Sequence, residues 1–369
     1  MIVRNDYNNC LTNLACSIRK YFGLEYHHQT LSKIDELLKD NPKNVILILF
    51  DGMGSRIMDR TLNPDSFFKM NKIDDMTSVF PATTTAATTS IRTGLNPIEH
   101  GWLGWNMYIH EIDKVITLFL NVEKDTKEIN EDYIILKSDI LVTQTIVDEI
   151  NNKTMYMGDE IMPFGNDKYN SIDEMFNRIE ERAKEPGKKF IYAYDTEPDS
   201  TMHALGPDSE EARSIIIDRN KRVSELCNRL EDSLVIVVAD HGHIKVDNLF
   251  LDDYPEIKEL MVRNTSLDQR AISFKVKEGY QEEFVKRFNK ELGKYFTLYP
   301  REEILSSKLF GDGKENGNFR YAIGDFIAIA ESANKALVSL GDQPLFSQHA
   351  GYTDDEIYVP LIAKRLIKK

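Results

Sequence analysis

The sequence predicts an α/β fold: a mostly parallel central sheet flanked by helices, with a small α+β insert. Three observations carry this prediction. The apolar runs Val45 to Phe50, Phe190 to Tyr194 and Leu234 to Ala239 are short and uninterrupted, as fully buried strands are. Helical stretches separate them, among them Ser171 to Lys184 and Ser209 to Glu231, and strand–helix alternation means a parallel sheet. Asp51, Asp199 and Asp240 each fall just past a predicted strand end, and sheets of this kind bind ligands beyond the carboxyl ends of their strands.

The remaining elements follow in chain order. Leu31, Ile34, Leu37 and Leu38 repeat at helical spacing near the N-terminus. A threonine-rich stretch, Thr83 to Thr93, follows the first strand. Farther on, a strand (Ala271 to Val276), a helix (Tyr280 to Leu292) and a strand (Asp325 to Ala330) read as a separate α+β unit. Gly311-Asp312-Gly313 and Glu315-Asn316-Gly317 mark loops within it. The expected division is therefore a catalytic core over 1–264 and 341–369 with an insert or cap over 265–340. There is no internal repeat and no low-complexity segment.

Composition narrows the function. The 369 residues are 41% apolar, enough for one large α/β domain with a smaller unit. The formal net charge is −14, which argues against a nucleic-acid polymer as the main partner. It leaves room for a small phosphate ester or nucleotide, because bound metals set the local field. Cys10, Cys16 and Cys227 show no paired spacing and read as reduced core thiols. The polar N-terminus and the lack of a long apolar run lead us to expect a soluble cytoplasmic protein with no membrane partner.

Two strings carry the chemistry. In Asp199-Ser200-Thr201-Met202-His203, a carboxylate and an imidazole four residues apart can meet one cation. In Asp240-His241-Gly242-His243, an adjacent pair at the end of an apolar run can meet a second. Asp51 stands at a strand end in the same way, and His349 lies near the C-terminus. Carboxylate and imidazole donors suit zinc or a similar divalent ion, and two-metal sites mostly serve phosphoryl chemistry. Taken singly, each piece has a plainer reading: a loop carboxylate, a helix cap, a structural histidine.

Together the pieces resemble the alkaline phosphatase superfamily, and within it the type I phosphodiesterase/nucleotide pyrophosphatase family. The matching segments are Ile48-Leu49-Phe50-Asp51-Gly52, Phe80-Pro81-Ala82-Thr83-Thr84-Thr85, Thr93-Gly94-Leu95-Asn96-Pro97 with His100-Gly101, Glu197-Pro198-Asp199 with His203 and Gly206-Pro207, Asp240-His241-Gly242, and His349. They stand in the family's order. The resemblance implies an alkaline-phosphatase-like core and hydrolysis of phosphodiester or pyrophosphate bonds. It implies two divalent metal ions, zinc foremost, and a covalent phosphoryl-threonine (or nucleotidyl-threonine) intermediate. It makes Thr84 the nucleophile, gives one metal to Asp199, His203 and His349, and gives the other to Asp51, Asp240 and His241 with Thr84 as a further ligand.

The sequence departs from the family in two places. Thr85-Ala86-Ala87-Thr88 replaces a usual Phe-Pro-Asn-His, and Trp105 stands where an asparagine often contacts a phosphoryl oxygen, with Asn106 next to it. Trp102, Trp105 and Tyr108 form an aromatic cluster that suits either an apolar leaving group or core packing, so Trp105, Asn106 and Tyr108 are the candidate substrate contacts. Thr84 on its own equally suits a helix N-cap. His100 and His243 are expected to play structural roles or to support the site from behind. The same scaffold also suits a phosphonate hydrolase, a phosphomonoesterase or a metal-binding protein without turnover.

Overall fold

The computed structural model describes residues 3–129 and 141–368. It is built around the strand Asn44–Phe50, in which all seven residues are buried. This strand pairs in parallel with Lys189–Asp195 on one side and with Ser233–Val238 on the other. Met157–Ile161 extends the parallel array beyond Lys189–Asp195. Tyr358–Leu366 runs antiparallel to Ser233–Val238, and Lys72–Thr77 closes that edge, giving a six-stranded mixed sheet. The expected strands and their parallel sense are therefore present.

Helices flank the sheet, and their caps fix their ends. Ser171 accepts a hydrogen bond from the Glu174 amide at the start of Ile172–Lys184, and Ser209 accepts one from the Ala212 amide at the start of Glu210–Arg229. Near the N-terminus, Leu11–Tyr21 packs against Thr84–Thr93. Arg19 donates to the Thr93 carbonyl at 2.9 Å and pairs with Glu149 at 2.7 Å, tying the end of one helix to the other. The three cysteines are free and buried. Among the described residues no helix is long and apolar enough to cross a membrane.

A second, seven-stranded sheet is antiparallel throughout, in the order Thr297–Pro300, Phe326–Ile329, Ala271–Phe274, Ser266–Leu267, Asn106–Ile109, Lys114–Thr117, Val122–Glu123. It is larger than the expected insert over 265–340, because Leu267 pairs with Asn106 and so recruits the strands of 106–123. That pairing spans some 160 positions of sequence and leaves no local signal. The strand Phe326–Ile329 shows how the sheet is buried on both faces. Phe326 and Ala328 join a cluster with Phe284 and Phe288 of the helix Gln281–Glu291, while Ile327 and Ile329 join one with Phe80 and Phe310.

Candidate active site

The three parallel strands end together, and the site lies at that end. Asp51 follows Asn44–Phe50 directly, and its amide donates to the Asp195 carbonyl at 3.0 Å. The chain turns after Lys189–Asp195 and opens the helix Asp199–Leu205, whose first residue donates its amide to the Asp51 carbonyl at 3.0 Å. Gly52 makes that approach possible. Its φ is +74°, and a Cβ there would stand 3.0 Å from the Asp199 Cβ. Gly242 is held closer still: a Cβ would fall 1.9 Å from the Asp355 carbonyl oxygen, so only glycine fits between the Asp240-His241 pair and the loop behind it.

Thr84 is the first residue of the helix Thr84–Thr93, with Thr83 as the extended residue before it. Threonine is an ordinary helix former at best, yet this helix is almost wholly buried. The Thr88, Thr89 and Thr93 hydroxyls turn back to the carbonyls four residues earlier at 2.6, 2.7 and 2.8 Å, so they bring no unpaired polar group into the core. Gly94, at φ 78°, ends the helix in the left-handed region. Thr84 Oγ1 is left facing the strand ends, 3.4 Å from Asp51 Oδ2 and 3.3 Å from His241 Nε2.

Four imidazoles converge beside it with their ring nitrogens sorted by their partners. His241 Nδ1 donates to the Gly242 carbonyl at 3.1 Å, His203 Nδ1 to the Ser347 carbonyl at 2.8 Å, and His349 Nδ1 to the Ala82 carbonyl at 3.2 Å. A carbonyl only accepts, so each of these rings carries a proton on Nδ1 and turns Nε2 toward the site, where the neutral ring has its ligating lone pair. His241 Nε2 lies 3.2 Å from Asp51 Oδ1 and 3.6 Å from Asp240 Oδ2. Those two oxygens are buried and have no hydrogen-bond partner. Lone pairs facing lone pairs in a buried space call for a cation between them, and this donor set fits a divalent metal ion.

The electrostatics agree. Burial pushes the Asp51 carboxyl well above the usual carboxylate range, with the Asp199 charge adding to the effect. Burial raises Asp240 likewise, helped by Asp51. Burial also lowers His349 strongly and brings His243 down to about 4, so these rings are neutral and fit to ligate. Tyr194 donates its hydroxyl to Asp51 Oδ2 and orients that carboxylate.

Two groups of donors emerge. Asp199, His203, His243 and His349 each offer an atom within 4.8 Å of the others, and so do Asp51, Asp199 and His241. Five of the six expected metal-ligating acids and histidines fall in these groups; Asp240 is outside both, its Oδ2 3.6 Å from His241 Nε2. Two further features differ from expectation. Asp199 belongs to both groups, because its helix starts directly over Gly52. His243, expected to sit behind the donors, contributes its own ring nitrogen: Nε2 is 2.5 Å from Asp199 Oδ1. Its position two residues past His241, where an extended chain returns to the same face, was the available signal. His100 is separate and buried, held by Ser90 Oγ and the Trp102 amide at 3.0 Å each.

A cavity of about 320 Å³ opens from Thr84, Asp199, His203 and His349 toward the second sheet. Trp105 and Asn106 line it, as expected of substrate contacts, but Tyr108 does not. Tyr108 lies two residues farther along its strand, roughly 7 Å away, and packs its ring 3.5 Å beneath the Arg263 guanidinium. Trp102 is core, packed on Phe119. The far wall holds acids and amides that no sequence motif marked: Asp268, Gln269, Asp342 and Gln343. Asn106 is fixed there, accepting from Thr117 Oγ1 at 2.7 Å and donating to Asp342 Oδ1 at 3.1 Å. Behind it the buried Lys124 pairs with Asp342 at 3.0 Å. Burial pushes the Asp268 carboxyl up to about 7.

Fold and site together define an α/β protein of the alkaline-phosphatase type, with clustered carboxylate and imidazole donors at the strand ends. The chain belongs to the type I phosphodiesterase/nucleotide pyrophosphatase family, whose sequence model matches residues 45–352. Among solved structures it is similar to murine ectonucleotide pyrophosphatase/phosphodiesterase 5 (TM-score 0.67, 21% identity, 88% of this chain and 90% of that one). It is similar also to the inactive threonine-to-alanine form of that protein in complex with AMP (TM-score 0.66, 21% identity, 88% and 90%). The human counterpart gives a TM-score of 0.64 at 20% identity, covering 88% and 90%. At these identities the likeness is one of fold. No curated protein sequence matches the chain significantly.

Proposed function

We propose that this protein is a two-metal hydrolase of phosphodiester or pyrophosphate bonds in small phosphate esters or nucleotides, acting through a covalent threonine intermediate. The observation that carries this reading is the position of Thr84 Oγ1, within 3.4 Å of both Asp51 Oδ2 and His241 Nε2 at the head of a buried helix. Divalent ions held by Asp51, Asp240 and His241 and by Asp199, His203 and His349, zinc foremost, would supply positive charge for the phosphoryl oxygens and lower the pKa of a hydroxyl.

The chain's own residues do the rest. Asp51 accepts the Thr84 hydroxyl hydrogen bond and Tyr194 holds that carboxylate in place. The Thr84 oxygen attacks phosphorus, a Thr84 Oγ–P bond forms, and the P–O bond to the alcohol or nucleotide breaks, the leaving oxygen taking up a proton. Water then cleaves the Thr84 ester and returns the hydroxyl. The first-turn amides of Thr84–Thr93 point their dipoles at the anionic group throughout. Trp105 offers apolar area to the second ester substituent. The AMP found in the murine relative supports a nucleotide as one such substrate.

A substrate panel tests the reading: an aryl phosphodiester, a dinucleotide, an aryl phosphomonoester and phosphonoacetate, each assayed after chelator dialysis and again with zinc restored. Hydrolysis of the diester and dinucleotide that disappears with chelator and returns with zinc is expected. Full turnover by metal-free protein contradicts the proposal.

A further inference from the structure

His243 is the residue at the site that the three-ligand assignment leaves without a role. Its hydrogen bonds are unusually informative. Ser347 has one hydroxyl proton, and Oγ lies 2.6 Å from the Met202 carbonyl, which only accepts. That proton is therefore committed. Ser347 Oγ can then only accept from His243 Nδ1, 3.0 Å away, so His243 carries its proton on Nδ1. Its other nitrogen, Nε2, faces Asp199 Oδ1 at 2.5 Å. Two atoms that close share either a proton or a metal ion, and the metal is favoured by the company they keep: Asp199, His203, His243 and His349 each offer a donor atom within 4.8 Å of the others.

His203 and His349 repeat the pattern. Each commits Nδ1–H to a backbone carbonyl and turns Nε2 toward the same point. His203 Nε2 is 3.3 Å from the same Asp199 oxygen. The ring centroids of His203, His243 and His349 stand 4.6, 5.3 and 5.2 Å apart, a nearly equilateral arrangement around that carboxylate. Ser347 anchors two of the three rings, His203 through its carbonyl and His243 through its hydroxyl, and so sets both to one point.

We propose that His243 is a fourth protein ligand to the metal held by Asp199, His203 and His349, making that shell three imidazoles and one carboxylate. The two metal positions are then unequal. One is rich in nitrogen and holds its ion through four side chains. The other has two carboxylates, one imidazole and the Thr84 hydroxyl. Nitrogen donors favour zinc and its first-row neighbours over magnesium or calcium, so the His243 shell is the tighter and more selective of the two.

This inference rests on the metal-dependent reading above, and zinc alone tests the two separately. Metal-free wild-type protein is titrated with zinc against a chromophoric chelator, alongside His243→Ala and His243→Gln, with circular dichroism verifying the fold. Two zinc ions of unequal affinity are expected in the wild type. Both variants should weaken the tighter one at least tenfold and leave the weaker one unchanged. Unchanged affinities in the variants would remove His243 from the shell while leaving the hydrolase reading intact, whereas a wild type that binds no zinc overturns both. Should the variants not fold, a crystal structure of the zinc-loaded wild type decides. Nε2 of His243 at roughly 2.0–2.1 Å from zinc supports the assignment, and beyond about 3 Å it fails.

Discussion

The two sheets make the site by different means. The six-stranded sheet delivers its donors at the ends of uninterrupted buried runs, Asn44–Phe50, Lys189–Asp195 and Ser233–Val238. Position along the chain and position in space coincide there. The seven-stranded sheet supplies the cavity wall from Asn106, Asp268 and Asp342, which meet only because Leu267 pairs with Asn106 and Lys124 with Asp342. The first arrangement concentrates charge on a cation and should fail all at once when a part is removed. The second shapes a substrate and should respond by degrees.

The largest effect should come at the join between them. Thr84→Ala should lower kcat/KM by 10³ or more, about 4 kcal/mol in transition-state terms, with fold and metal content retained. Steady-state kinetics and elemental analysis check this. Activity surviving in Thr84→Ala but lost in Thr83→Ala or Thr85→Ala would move the nucleophile.

Next comes the wall's own buried pair. Lys124→Met should destabilise the protein by about 3 kcal/mol, because the buried Asp342 carboxyl loses its ion-pair partner. Urea unfolding measures it, and an unchanged midpoint would mean that the wall does not depend on this pair. His349→Ala should weaken the metal shared with Asp199 and His203 at least tenfold while sparing the one at Asp51, a loss visible by metal counting. Unchanged two-metal stoichiometry would make His349 a bystander.

The smallest effect concerns substrate charge. Arg92 is drawn away from the site by Glu160 at 2.7 Å, and Asp268 and Asp342 line the cavity. Lys127 also lines the cavity but, among the described residues, no arginine does, so a dianionic monoester meets carboxylates and one ammonium rather than a guanidinium clamp. An aryl diester should be preferred over its monoester by about tenfold in kcat/KM, ~1.4 kcal/mol, and the reverse preference would overturn this view of the wall.

The same contrast explains what was legible in the sequence. Asp51, Asp240 and His241 could be read because each closes an apolar strand, and His203 because four residues from Asp199 make one helical turn. Thr84 required the family resemblance, since a threonine at a helix start is commonplace. Asp199's place in both donor groups depends on the glycine approach at Gly52, a tertiary fact. Tyr108 was grouped with the tryptophans by proximity along the chain, yet the strand carries it past the cavity to Arg263. Asp268 and Asp342 carry no motif at all; their neighbours are set by strand pairing between distant segments.

On the proposed mechanism, Thr84 becomes covalently attached to substrate phosphorus at a metal-loaded site. Rapid acid quench of zinc-loaded enzyme with an excess of a dinucleotide or aryl diester, followed by peptide mass spectrometry, tests it most directly. A phosphoryl or nucleotidyl adduct on Thr84 should form within the first turnover and be absent after chelator treatment. Turnover with no adduct at any quench time, or an adduct on Thr83 or Thr85, would contradict it.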